Sequence, residues 1–460
     1  MHTKTDIIII GAGLTGLTMA YYLKKSGRSV IVIEKERKAG GVIGTISEDG
    51  FVFETGPNTG VLSTPEIAGL FLDLNGTCNL DTANPKSKKR YILKNAKWQP
   101  LPSGFYSAVT TPLFTLKDKF RILGEPFRKP GNDPDETLAQ LVRRRMGASF
   151  LDFAVDPFIS GIYAGDPATL VTRYAMPKLY ALEQNYGSFI RGAIKKAREP
   201  KSVEQKRATG EVFSVKGGLE NLINALANDF NEESLITGAK NIAVEPTGTD
   251  YLVTFRNIKG DQDEIQSPNV VTTFGGTSLK SVLPFIQGKN LIPVINTKYA
   301  AVVQVAVGYK SWKGMPLDAF GGLIPSRENR GVLGILFPSA IFNGRAPENG
   351  ALLSVFLGGI KKPDTILKSD QEIKDIVMTE IRETLFDNSE PDLFKIFRYT
   401  NAIPQYEKSS GERLDCIRKI QDQYPGLVLA GNIRDGIGMA DRVKQAKIIS
   451  DSLINKVYEK

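Results

Sequence analysis

The stretch that decides the fold is Asp6–Glu34, DIIIIGAGLTGLTMAYYLKKSGRSVIVIE. Asp6 to Ile10 reads as a short, β-branched strand, and Gly11, Gly13 and Gly16 follow at once, opening a helical run from Leu14 to Lys25. A second β-branched strand, Val30 to Ile33, ends in Glu34. Gly11 allows a tight turn, Gly13 lets backbone N–H groups approach a pyrophosphate, and Gly16 lets helix and strand pack closely. Ala12, Leu14 and Thr15 complete that turn as cofactor-binding positions, and the helix N-terminus favours negative charge. Glu34, with Lys35 after it, can accept hydrogen bonds from both hydroxyls of a ribose and would repel a 2′-phosphate. An adenosine nucleotide is expected; these residues leave open which one.

Working outward, Gly40, Gly41 and Val42 follow the acid, then Gly44-Thr45, and then GFVFETGPNTG from Gly50, which contains Gly56, Pro57, Asn58 and Thr59. The segment EKERKAGGVIG from Glu34 resembles the second glycine motif of the flavin-containing amine oxidase superfamily. Its continuation resembles the protoporphyrinogen and coproporphyrinogen oxidases within it. DPDETLAQLVRRRMG from Asp133, PFISGIYAGDP from Pro157, VKGGLENLINAL from Val215 and FGGLIPSRENRGVLGILFPS from Phe320 carry the same resemblance in the same order. So does LVLAGNIRDGIGMADRV from Leu427, which resembles the segment that closes over the flavin ring. The sequence departs from the superfamily pattern at Lys38, where arginine is usual, and at Val42, where a large residue or arginine is common.

The resemblance implies non-covalent FAD, with Gly40, Gly41, Val42, Gly56, Pro57, Asn58 and Thr59 along it, Asn241 approaching it, and Asn432, Ile437, Gly438 and Met439 closing over it. It implies a porphyrinogen substrate, with Arg90 facing a propionate and Gly165, Phe320, Leu323, Leu336 and Phe356 lining the tetrapyrrole pocket. A solvated basic loop around Lys86, Lys88 and Lys89 is the plainer reading of Arg90. The flavin carries the redox chemistry in such enzymes, so no catalytic side chain is assigned. Asp166 and Tyr163 flank the pocket motif but read as a turn aspartate and a packed tyrosine. Oxygen giving H2O2, or another electron acceptor, is expected to take the electrons, and three two-electron steps would aromatise one porphyrinogen.

Composition agrees with that reading. A chain of 460 residues suggests about three structural units. The sole histidine, His2, excludes histidine-based triads and imidazole-ligated metals, and two cysteines, Cys78 and Cys416, cannot build a zinc or iron–sulfur site. No metal and no nucleic acid are expected. The net charge of +9 favours anionic partners. Without a secretory signal or an apolar span, a cytoplasmic protein is expected, with peripheral contact at an anionic membrane as an extension; monomer and homodimer both stay open.

The expected fold is α/β. It combines an FAD-binding Rossmann-like unit of the GR2 type, a mixed-sheet substrate domain and an inserted helical domain. The first takes 1–83, 209–283 and 407–460, the second 84–104 and 284–406, the third 105–208. The spacing of Leu222, Ile223, Leu226, Ala227 and Phe230 predicts one buried helix face, and Ala301–Val307 and Leu352–Leu357 predict strands. Two alternatives remain at this level: a carotenoid desaturase-like flavoenzyme, and a GDP-dissociation-inhibitor-like binder that needs no flavin.

Overall fold

The computed structural model describes residues 3–455; His2 lies outside them. A five-stranded parallel sheet is ordered Leu235–Ile236, Val30–Ile33, Ile7–Ile10, Val270–Thr272 and Leu427–Leu429. Parallel strands covered on both faces read as unbroken apolar runs. That is why four consecutive isoleucines suit Ile7–Ile10, all fully or nearly fully buried. On one face pack the helices Leu14–Lys25, Pro65–Asp73, Glu220–Ala227 and Met439–Asn455. The predicted face of Glu220–Ala227 is seated there through Leu222, Ile223 and Leu226, while Phe230 falls beyond the helix end. The other face is covered by Leu279–Val282, Gly288–Ile295 and Ser410–Gln423 and by the antiparallel strands Lys240–Thr247 and Asp250–Arg256.

A seven-stranded sheet follows the order Leu393–Pro404, Tyr299–Tyr309, Ala351–Gly358, Val332–Leu336, Gly321–Leu323, Arg90–Lys94 and Lys97–Pro100. It is antiparallel except where Gly321–Leu323 meets Arg90–Lys94 in parallel. Side chains alternate across a sheet. Val303, Val305, Val307, Leu353, Val355, Leu357 and Ile335 therefore share one face, which is buried under Ile373, Val377, Ile381 and Leu385 of the helix Asp370–Leu385. The opposite face is left for the rest of the molecule.

Short helices dominate 105–206, packed around Leu138, Leu141, Val142, Ile159 and Leu170. Within them Arg145 is fully buried and is held by Glu125 at 2.8 Å and Glu183 at 2.5 Å. One five-residue π-helical stretch, Leu151–Val155, widens the helix that continues as Asp156–Tyr163. Its second half packs against the seven-stranded sheet, where a side chain at Gly161 would strike Leu323.

Candidate functional site

The site begins at the end of Ile7–Ile10. Gly11 turns with φ +111°, a conformation that favours glycine, and a Cβ at Gly16 would collide with the Gly11 carbonyl. Thr273 Oγ1 donates to that carbonyl at 2.9 Å, tying the turn to the neighbouring strand. Gly13 is different. Its φ is −75°, and a Cβ there would meet nothing within 4 Å. Neither conformation nor packing of the chain itself demands glycine at 13, so the space in front of it is a cradle. Gly41 faces the same space, its would-be Cβ 3.5 Å from Gly13 Cα, and Gly40 N–H donates to Ala12 O at 2.8 Å. Leu14 and Thr15, both buried, begin a helix with no side-chain cap, so its first N–H groups are available to an anion.

Glu34 is buried beside the cradle. Its carboxylate accepts Ala12 N–H at 2.7 Å and Glu36 N–H at 2.9 Å, which fixes its orientation and leaves lone pairs for a diol. Lys35 is exposed and lies 3.6 Å from Glu36. Lys38 pairs with Glu220, whose other oxygen accepts Thr45 N–H at 2.9 Å. Burial works upward on the Glu220 carboxyl, and Lys38 and the Thr45 amide outweigh it, so its pKa falls below the usual value. The departure from arginine at 38 thus carries a structural anchor.

Val42 is 56% exposed beside Gly41, and its carbonyl occupies the place a Gly56 side chain would need. Gly56 opens the loop Gly56-Pro57-Asn58-Thr59, where Asn58 Nδ2 donates to Gly56 O at 3.1 Å. Beneath it Glu54 is buried against Arg345 at 2.8 Å; burial raises its carboxyl pKa, with Arg345 opposing. Asn241 stands at a bulge with φ 52°, two residues after Ala239, whose N–H donates to Glu34 O at 3.0 Å. At the C-terminal end, buried Asn432 Oδ1 has no hydrogen-bond partner among the described residues. Ile437 packs toward the helical core, Gly438 N–H donates to Asp441 at 3.1 Å, and Met439 is buried at the start of the last long helix.

The strand register places Arg90 and Leu336 opposite Gly321, and Leu323 and Phe356 opposite Gly334. All four side chains therefore share the sheet face turned away from Asp370–Leu385. Phe320 stands just before that row with the Arg90 guanidinium 5.2 Å from its ring centroid. Gly165 is buried in the turn after Asp156–Tyr163. Its neighbour Ala164 accepts Ile360 N–H at 2.8 Å and packs in one cluster with Phe356 and Leu333. Asp166 accepts Ala168 N–H at 2.9 Å, and Tyr163 donates to Ala175 O at 2.8 Å with burial raising its pKa to about 12. The structure thus brings Arg90, Leu323, Leu336 and Phe356 to one sheet face, with Phe320 beside Arg90 and Gly165 in the turn next to Ala164.

Sequence reasoning missed the contacts that join this surface to the Gly56 loop. Gln304, on the same face, is 2% exposed and donates through Nε2 to Glu54 O at 2.9 Å. Tyr399 donates to Thr55 O. A signal for Gln304 existed, since it is the lone polar residue in the buried run AAVVQVAV. Tyr399 offered none.

A glycine cradle at a strand–helix turn, a buried acid beside it and a second sheet facing it define a flavin-dependent oxidoreductase. The chain belongs to the flavin containing amine oxidoreductase family, whose profile matches residues 14–443. It is 29% identical to the mitochondrial protoporphyrinogen oxidase of Nicotiana tabacum, over 98% of this chain and 94% of that one. Against the coproporphyrinogen III oxidase of Bacillus subtilis it is 26% identical, over 98% of each. Its fold matches that of a candidate protoporphyrinogen oxidase from Exiguobacterium sp. with a TM-score of 0.81, at 22% identity over 99% of each chain. The cofactor is FAD, which the open space at Gly13 and the acid at Glu34 fit. Among the described residues no cluster could hold a metal ion, and no helix is long and apolar enough to cross a membrane.

Proposed function

We propose that the chain oxidises a porphyrinogen to a porphyrin in haem biosynthesis, with protoporphyrinogen IX favoured over coproporphyrinogen III. The observation that carries this reading is the face of the seven-stranded sheet turned away from Asp370–Leu385: half-buried Leu323, Leu336 and Phe356 form an apolar surface there, with exposed Arg90 beside them. Arg90 has no acidic partner among the described residues, whereas Arg327, Lys361, Lys395 and Arg398 are each engaged by a carboxylate. One free guanidinium on an apolar surface suits a disc with carboxylates along one side. A substrate with propionates on all its rings would call for more. The names of the Nicotiana and Bacillus relatives agree with the substrate class.

In this reading Gly11 to Gly16, Glu34, Gly40, Gly41 and Gly56 to Thr59 hold FAD, and Asn432 to Met439 close over it. Bound FAD supplies two-electron acceptance. The chain orients the substrate and excludes water: Arg90 fixes the propionate edge, and Phe320, Leu323, Leu336 and Phe356 bear on the ring. Three turnovers remove six electrons, with O2 as the acceptor giving H2O2. The division into an FAD unit (1–83, 209–283, 407–460), a substrate unit (84–104, 284–406) and a helical unit (105–208) belongs to the same proposal.

The helical stretch exposes Tyr106, Phe120 and Phe127 by 81%, 71% and 82%, with exposed Lys117, Lys129, Lys195 and Lys196 in the same stretch. Aromatic and basic side chains in such a mixture suit the headgroup region of an anionic membrane. Binding to anionic vesicles in flotation, weakened by salt, is expected; no binding at any ionic strength refutes the membrane contact alone. For the reaction, both porphyrinogens are mixed anaerobically with the flavinated protein and flavin bleaching is followed. Faster bleaching by protoporphyrinogen is expected. Faster bleaching by coproporphyrinogen reverses the preference, and bleaching by neither refutes the function.

A further inference from the structure

Four arginines are buried among the described residues: Arg145, Arg345, Arg413 and Arg442. Two follow the rule that a buried charge is paired, Arg145 with Glu125 and Glu183, and Arg345 with Glu54. The other two have no carboxylate within ion-pair distance among the described residues. Arg413, 2% exposed, donates to Gln405 O at 3.2 Å and Ser410 Oγ at 3.4 Å, and its Nε has no partner. Arg442, 8% exposed, donates to Gln445 Oε1 at 2.9 Å and Arg434 O at 2.8 Å, and its Nε is likewise unpartnered.

Both converge on one residue. The Arg413 guanidinium lies 5.1 Å from the Tyr406 ring centroid, and Arg442 acts on the same phenol. Tyr406 in turn accepts Gly436 N–H at 3.0 Å, directly under the segment that runs through Ile437 and Gly438 to Met439. Tyr299, the other phenol acting on Arg413, accepts Gly276 N–H at 3.1 Å, close to Thr273 and the Gly11 turn. Arg442 also has Asp441, Asp435 and Arg434 nearby, the two acids belonging to the closing segment and the helix turn that follows it; no acid acts on Arg413. Burial pulls both guanidinium pKa values below the usual arginine value.

An unpaired buried cation is costly, and removing its partner from a buried pair costs several kcal/mol. Among the described residues that cost is met at Arg413 and Arg442, beneath the closing segment. We propose that Arg413, with Arg442 beside it, is left unpaired so that its positive field stabilises the negative charge that the flavin gains when reduced. Two electrons and one proton entering the oxidised ring leave it one unit more negative, and a fixed cation in a low-dielectric surrounding favours that form. The inference rests on the closing segment lying against the flavin, but on no particular substrate. The two arginines act through space and are positioning charges.

The test is anaerobic reductive titration of the FAD-loaded protein against redox dyes, with no porphyrinogen present. Arg413→Met should lower the reduced-to-oxidised ratio at fixed potential by tenfold or more, a shift of about 30 mV for a two-electron couple. Arg413→Lys should recover most of it, and Arg442→Met should give a smaller shift of the same sign. Affinity for oxidised FAD should stay nearly constant. Should Arg413→Met not fold, the wild type still decides: one proton per two electrons gives a slope near 30 mV per pH unit around neutrality, and two protons give twice that. The steeper slope overturns the proposal. So does an unchanged potential in flavinated Arg413→Met, or equal weakening of oxidised and reduced FAD, which would assign the charge to the pyrophosphate. A wild type that binds no FAD refutes the cofactor seating itself.

Discussion

At the scale of single residues, Gly13 and Arg90 make opposite demands. A Cβ at Gly13 would meet nothing within 4 Å, so Gly13→Val should leave the folded chain intact while filling the cradle. The variant should purify largely colourless, with a melting temperature close to that of wild-type apoprotein. Gly16 lacks that latitude, and any side chain there forces the turn open. Arg90 is exposed and stacked on Phe320, so its loss should spare fold and flavin. A charged hydrogen bond to a propionate is worth about 1.5–3 kcal/mol, so Arg90→Ala should lose roughly ten- to a hundred-fold in kcat/KM. Arg90→Lys keeps the charge without the planar fork and should fall between them. Steady-state rates normalised to bound flavin check both, and unchanged kcat/KM in Arg90→Ala would return it to the solvated loop.

At the scale of elements, the helix Asp370–Leu385 does more than cover a sheet. Glu380 faces inward from it, 3% exposed, with Oε1 unpartnered and Arg330 3.6 Å from Oε2. Burial raises its pKa to about 7, with Arg330 opposing. Between about pH 4.3, the ordinary glutamate value, and pH 7 the folded chain holds a proton that the unfolded chain has lost. Stability therefore falls as pH rises through that window. Glu380→Gln should be more stable than wild type at pH 8, by on the order of 2 kcal/mol, and nearly equal to it at pH 4.5. Thermal melts at the two pH values settle this; equal gaps would refute it.

Elements were also where the sequence was easiest to read. The isoleucine run, the Leu14–Lys25 helix and the Leu222–Ile223–Leu226 face carry their own periodicity, because each buries a continuous stripe. Arg90, Leu323, Leu336 and Phe356 could be named only through motif resemblance. Their common face depends on register between four strands, one of which, Arg90–Lys94, lies more than 200 residues before its partner Gly321–Leu323, and no local period encodes that. Arg413 and Arg442 were invisible for a related reason: a buried arginine looks like any other until its partners are known.

At the scale of the whole molecule, two hydrogen bonds set the seven-stranded sheet against the Gly56 loop, from Gln304 to Glu54 O and from Tyr399 to Thr55 O. Gln304→Leu leaves a buried carbonyl unpaired, at a cost of about 1–3 kcal/mol, and Tyr399→Phe removes the second tie. Neither touches the cradle, so FAD content should hold. A displacement of about 1 Å between donor and acceptor can cost on the order of 100-fold in rate. The double variant should therefore reduce its flavin at least ten-fold more slowly than wild type in single-turnover mixing. A normal rate would show that the two surfaces are aligned by other contacts.

The order of strands in the parallel sheet also governs how the chain is made. Val270 pairs with Ile8 on one side and Leu427 on the other. At about 5–20 residues per second, the isoleucine strand leaves the ribosome tens of seconds before its neighbour Val270–Thr272 exists, and the far edge arrives only near the end of synthesis. Until then the most apolar segment of the protein has an unpaired edge and no second layer, the condition under which nascent chains stick to one another. The strand from which the glycine turn springs is thus also one that depends on chaperone protection during translation.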